Sequence, residues 1–499
     1  MRFALLLLLL VGLTLLRVGL SATTPLTPDE AYLELLSLEP APGYVDGTPG
    51  AALSVFVGTQ VGQTTSLTIR LTSPIYGLVA SIALFFLVAK LSSTSTATWT
   101  TIVLNALPSF NYATTHAGAA AGALAGCFLC LTCMVHAREH KTPALLWLCS
   151  GFALAIAAQF AAITLWLLPA VLLYVLVTPG ARRKTSPIHY LMFVAPPLVS
   201  LASLMSWNAK HEWLWFAKGT FQSFITLEFY DLAQTLLGFG GFVLVLCAIS
   251  LIGLLFVAWQ GLRSEPSRLL LVIGVVGAGV WIFQAMQGIN EIPVGLVVFA
   301  LALAVVLENL ESISPIIPAS AALVLVLTGT IWALPFVSQA GNANREWRHL
   351  AEMMLSASRE ATTAEQTPVF LVADTMESAA MLGHFIRQID PSYDGWPPVF
   401  VRESQNFQGQ YSLWPRYDEF RETDEAPDEY FEELKAENPY QGQSAIYLGK
   451  EAPDALPQAI DSAFQSVIPL EKIEVRTDAD SDPRMMYLYL LRDYQTLPL

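Results

Sequence analysis

Five carboxylates, Asp29, Glu30, Glu34, Glu39 and Asp46, crowd into a short stretch just past the first apolar run of the chain. They are interleaved with tyrosines in Thr27-Pro28-Asp29-Glu30-Ala31-Tyr32 and in Gly43-Tyr44-Val45-Asp46. Only 13% of the chain is charged, so this grouping is unusual. Adjacent carboxylates suit general-base work, in which one of them takes the proton of a reacting hydroxyl within hydrogen-bond reach. The plain alternative is a solvated loop. Cys127, Cys130 and Cys133 recur every third residue, yet no His or further Cys completes the four ligands that a structural zinc site needs. With Cys149 and Cys247 they lie in apolar runs, where small polarizable side chains serve helix packing.

The elements that must position these groups follow from composition. Hydrophobic residues make up 54% of 499 positions, and mean hydropathy is +0.51. These values exclude an ordinary soluble protein and predict repeated membrane spans. Residues 1–340 hold 13 basic and 13 acidic residues, whereas 341–499 hold 13 and 28 and so carry the whole formal charge of −15. Two parts are expected: a neutral transmembrane body over 1–340, with an outer catalytic loop at 21–72, and an acidic soluble α/β domain over 341–499. Such an acidic tail argues against nucleic acid as a partner, because phosphate binding needs Lys and Arg in excess.

The hydropathy pattern predicts about eleven α-helical spans, at 3–20, 73–91, 98–113, 117–136, 143–160, 162–178, 188–206, 233–258, 269–287, 292–308 and 316–336. The first is expected to stay uncleaved, with Arg17 snorkelling to the far interface. With the N-terminus inside, nine Lys/Arg fall on the cytoplasmic side and four on the other, the densest group being Arg182-Arg183-Lys184. Asp29, His211 and the acidic domain then share the outer side. Ala51 to Val61 is too short to span and reads as an interfacial helix. In the tail, strands are expected at 368–373, 398–401, 444–448 and 485–491, with a helix at 376–387. The acidic run 421–437 reads as a solvated loop or helix face.

These residues resemble a known family. Asp29-Glu30-Ala31-Tyr32-Leu33, followed by Gly43-Tyr44-Val45-Asp46-Gly47-Thr48-Pro49, is similar to the Asp-Glu-Ala-Tyr-Tyr and Gly-Tyr-Tyr-Asp-His-Pro-Pro of the first outer loop in bacterial protein-mannosyltransferase-like enzymes. These are relatives of the aminoarabinose–lipid A transferase in the membrane-embedded C-type glycosyltransferase superfamily. Arg70-Leu71 with Pro74 resembles the Arg-Leu-Pro of that branch, and Trp207-Asn208-Ala209-Lys210-His211-Glu212-Trp213 resembles its Trp-Asn-x-x-His-x-Trp.

The resemblance implies a polytopic helical membrane protein with an outer α/β domain. Its activity would be sugar transfer from a polyprenyl-phosphate donor to a lipid, glycan or protein acceptor at the outer face of a bacterial inner membrane. Asp29 would be the catalytic base. Arg70, Lys210 and Lys218 are the outer cations that could balance the leaving phosphate, Arg70 first among them. Glu30, Tyr32, Tyr44, Asp46, His116 and His211 complete the candidate substrate-binding set. No cofactor is clearly indicated, and a divalent cation is left open. Departures are clear: the family's second acidic motif falls on Thr114-Thr115-His116-Ala117-Gly118, its following lysine on Gln159, and its His-Pro-Pro on Gly47-Thr48-Pro49. His116, drawn toward the cation by neighbouring acids, could stand in for the missing lysine. The competing class is a non-catalytic protein that holds lipid-linked glycans or serves as an assembly subunit. A transporter fits less well, since intramembrane charges are nearly absent.

Overall fold

The computed structural model describes residues 2–138, 141–214, 252, 265–286, 292–313, 343–404, 407–419, 421–422, 436–475 and 484–495. The predicted spans at 233–258 and 316–336 lie outside these residues apart from position 252, as does Lys218. The chain divides into two compact units, one of Met1–Thr23 with Pro40–Phe336 and one of Thr24–Glu39 with Val337–Leu499. Residues 24–39, expected as part of an outer loop of the membrane body, therefore cluster with the C-terminal residues. The contacts responsible, made by Tyr32 and Glu34, are described below.

The first unit is helical: α1 (Arg2–Thr23), α3 (Gly50–Thr59), α4 (Ser66–Arg70), α5 (Thr72–Leu91), α6 (Thr94–Ala106), α7 (Pro108–Thr115), α8 (Ala119–Ala137), α9 (Pro143–Phe160), α10 (Leu167–Val177), α11 (Pro179–Lys184), α12 (Pro187–Lys210), α13 (Glu265–Met286) and α14 (Ile292–Ile313). Among the described residues, six helices are long and apolar enough to cross a membrane. The chain is a multi-pass membrane protein. The single span expected at 98–113 is instead two helices broken at Leu107-Pro108, because proline takes the first position of α7. Likewise 162–178 opens as a 3-10 turn, Ala162–Trp166, before α10.

Small residues set the helix spacing. Gly122 and Gly126 stand one turn apart on α8, and a Cβ at Gly126 would lie 2.7 Å from the Ala153 carbonyl oxygen of α9. Close approach of this kind is how helices associate where water gives no hydrophobic drive. Inside α12, Pro196 and Pro197 cannot donate to the carbonyls of Met192 and Phe193. Those two oxygens instead face Gly151 of α9, at 2.8 and 2.6 Å from where its Cβ would be. A larger residue at 151 would separate α9 from α12.

The second unit holds α2 (Pro28–Leu38), α15 (Ala343–Glu365), α16 (Met376–Ile389), α17 (Gln458–Asp461) and a five-stranded mixed sheet. Its strands are β1 (Phe370–Ala373), β2 (Phe400–Val401), β5 (Ala445–Gly449), β6 (Phe464–Val475) and β7 (Arg484–Tyr494), in the order β2-β1-β5-β7-β6. A separate pair, β3 (Arg421–Glu422) with β4 (Ala436–Glu437), flanks the acidic run. β1, β2 and β5 are parallel, and every residue of β1 and β5 is buried, which explains their unbroken apolar sequences. β6 is an exposed edge strand carrying Pro469 and a bulge at Pro469/Glu471, features that hide it from a hydropathy reading. An aromatic core of Phe370, Phe400, Tyr417, Phe464 and Tyr494 fills one side of the sheet.

Glu403 sits in that core, where the Tyr494 hydroxyl donates to its Oε1 at 2.5 Å. Burial pushes its pKa from 4.5 to about 7, against the lowering effect of the tyrosine hydrogen bond, with Asp418 raising and Arg416 lowering it further. A carboxyl raised in the fold favours the folded state while it is protonated. Its contribution is full below the unfolded value and is lost as pH rises through about 7. Thermal unfolding of this unit from pH 4 to 8 should show the loss, and Glu403→Gln should flatten that part of the curve; a curve unchanged by the substitution would contradict it.

Candidate functional site

Asp29 stands in the first turn of α2. That turn is shaped by a capping box: Glu30 N donates to Thr27 Oγ1 at 3.3 Å, and Thr27 N donates to Glu30 Oε2 at 3.0 Å, with Pro28 at the first helical position. Glu30 is thereby buried as a structural acid, while Asp29 is exposed. Partial desolvation of its carboxyl by the groups packed around it, then Glu377, then Glu30 raise the Asp29 pKa. Tyr32, one turn on, accepts the Gln410 backbone N–H at 2.7 Å and stacks on Tyr411. Glu34 is buried; its Oε1 accepts from Arg387 at 2.8 Å and its Oε2 lies 3.5 Å from His384 Nδ1.

Within the first unit, two motifs far apart in sequence converge. The tight turn Tyr44–Gly47, closed by Tyr44 N to Gly47 O at 3.1 Å, begins at Gly43, whose α-carbon packs against Trp207 of α12. A Cβ there would be 3.1 Å from the indole, so the approach requires glycine or a shift of the ring. Trp207 stacks on His211, with ring centroids 4.1 Å apart, and His211 Nδ1 lies 2.8 Å from the Trp207 carbonyl oxygen. Tyr44 is buried, whereas Asp46 and Lys210 are exposed. Nearby in the chain, α3 starts at Gly50, where a Cβ would lie 2.5 Å from the Gln159 carbonyl at the end of α9. The Gln159 amide donates to Ser200 Oγ of α12 at 2.5 Å.

A second set in this unit is built on guanidinium groups. Arg70 is wholly buried and donates to the Ser21 carbonyl at 3.0 Å, while Ser21 Oγ donates to the Thr115 carbonyl at 2.9 Å. Arg17, 3% exposed, donates to Asn105 Oδ1 at 3.0 Å and to Asn111 Oδ1 at 2.8 and 3.2 Å, and lies over the Phe110 ring. The expected snorkelling of Arg17 is therefore corrected: two asparagines supply acceptors inside the bundle, so the charge need not reach an interface. His116 ends α7, stacked on Tyr112 at 4.2 Å, with Nδ1 3.1 Å from Thr115 Oγ1.

This architecture has known counterparts. ArnT from Cupriavidus metallidurans bound to undecaprenyl phosphate superposes with a TM-score of 0.60 at 13% identity, over 99% of both chains. Its apo structure gives 0.57 at 12% identity, over 100% of both. The chain has the C-type glycosyltransferase fold. Residues 46–207 match the family model of dolichyl-phosphate-mannose-protein mannosyltransferases, so the likeness in sequence is mannosyltransferase-like over that segment. No curated protein matches the sequence.

Within this glycosyltransferase fold, the matched segment contains Asp46, Arg70, His116 and Gln159 and begins after Asp29, Glu30, Tyr32 and Tyr44. The candidate residues fall into three groups: Asp29, Glu30 and Tyr32 on α2; Tyr44 and Asp46 with the 207–211 motif; and Arg70 with His116 through Ser21 and Thr115. Glu377, His384 and Arg387 escaped a sequence reading because they lie far from the acidic cluster in sequence and carry no motif. Among the described residues, no three His, Cys, Asp or Glu side chains are placed to hold a metal ion.

Proposed function

We propose that this protein transfers a sugar from a polyprenyl-phosphate carrier to a hydroxyl acceptor at the outer face of a bacterial inner membrane, with inversion at the anomeric carbon. Asp29 carries the proposal: an exposed carboxylate at a helix start, with its pKa raised, is suited to remove a hydroxyl proton. The acceptor oxygen, losing its proton to Asp29, would bond to the anomeric carbon as the bond to phosphate breaks. The lipid phosphate would then leave with the electron pair. In the membrane unit, Lys210, exposed at the end of α12, is the cation available to a lipid phosphate. Arg70, which is wholly buried, would add positive potential rather than a contact.

The second reading is a protein of this fold that holds a lipid-linked glycan without transferring it. Gln159 favours it: the amide at the position of the family lysine is engaged by Ser200. Mass spectrometry of lipid copurifying with the protein, followed by binding of a labelled polyprenyl phosphate, tests what both readings share. Saturable binding weakened by Lys210→Ala is expected. Copurification of bulk phospholipid alone, with no saturable polyprenyl-phosphate binding, would overturn both.

A further inference from the structure

Helix α2 lies along α16, and the two start near the same level: Glu377 in the first turn of α16 acts on Asp29, while His384 and Arg387 further along engage Glu34. Two features of this interface are not what folding alone would select. The first is the Glu34 group. A carboxylate 2% exposed, paired with an arginine at 2.8 Å and an imidazole at 3.5 Å, contributes little that apolar residues of the same volume would not. The best-attested role of a buried ionic group is to fix register and rotation, as it does in some proteins. Tyr32, bonded to Gln410 N and stacked on Tyr411, fixes the helix a second time two residues earlier.

The second feature is the pair of acids at the open end. An acid stands in the first turn of each helix, Asp29 in α2 and Glu377 in α16, where it complements that helix's dipole. Partial desolvation does most to raise the cost of charging Asp29; Glu377 adds to it, and Glu30 acts in the same sense from the same helix. These are the charged groups that act on Asp29. The result is a carboxylate that holds a proton more tightly and is a better base once it has lost it.

We propose that α16 supplies the positioning residues of the transfer reaction, with His384 and Arg387 fixing the rotation of α2 through Glu34 and Glu377 standing against Asp29. This rests on Asp29 being the base. The consequence is that residues of the second unit take part in the chemistry.

Infrared difference titration of the full-length protein in nanodiscs reads the Asp29 carboxyl directly, as the band missing from Asp29→Asn. Glu377 is exposed, so Glu377→Gln leaves the fold intact. In that variant the Asp29 proton affinity should fall about threefold or more, the rise of turnover with pH should move to lower pH by the same amount, and Glu377→Asp should restore both. Glu34→Gln should lower kcat about tenfold or more without changing the KM for donor, measured on folded protein. An Asp29 titration unmoved by Glu377→Gln would overturn the proposal even if Asp29→Asn is inactive. Wild-type turnover in Asp29→Asn would instead remove the base assignment itself, whatever the infrared titration shows.

Discussion

Asp29→Asn should lower turnover by roughly a hundredfold to ten-thousandfold and leave folding and donor binding in place. The substitution is isosteric, and Asp29 makes no contribution to the capping box, which belongs to Thr27 and Glu30. The fold loses only the acid's favourable interaction with the helix dipole, about 0.3–1 kcal/mol. Glu30→Gln separates the neighbours. Glutamine serves in the same capping position, so its effect on turnover should be within a few-fold. Single-turnover kinetics with labelled donor, alongside equilibrium binding of the donor, check both variants. Full activity in Asp29→Asn would place the base elsewhere.

Arg17→Ala should cost the membrane unit about 2–4 kcal/mol. The guanidinium is the donor to the side-chain oxygens of Asn105 and Asn111, and each buried acceptor left unmatched costs about 1–3 kcal/mol. Removing a buried charge returns part of that loss. Arg17→Lys keeps the charge but loses the planar fork that reaches both asparagines, so its stability should lie between the other two. Because Asn111 belongs to α7, the alanine variant should also loosen the helix that ends at His116. Unfolding in mixed detergent micelles measures these differences; an alanine variant as stable as wild type would contradict the geometry.

Much of this architecture was legible because long apolar runs and unbroken buried strands have few alternatives. α1, α5, α8, α9 and α12 fall close to their expected limits, as do β1, β5 and β7. What hydropathy could not show was where backbone geometry overrides it. Pro108 splits one expected span, and β6 is concealed by its proline and its charges. The α8–α9 seam rests on Gly122 and Gly126, whose meaning depends on what faces them. For the site, the acidic cluster was visible as a local grouping, but its members were not equivalent. Glu30 became a cap, Glu34 a buried ion partner and Asp29 an exposed acid, a division decided by helix phase and by residues more than three hundred positions away.

The most direct measurement is transfer itself: purified protein in nanodiscs, a polyprenyl-phosphate donor labelled in the sugar, and membrane extract as the source of acceptor. Label should leave the donor and appear on an acceptor with wild-type protein, while Asp29→Asn binds the donor and leaves the label where it was. Saturable donor binding with no release of label by wild-type protein would contradict the account and leave a lipid-glycan holder of the same fold.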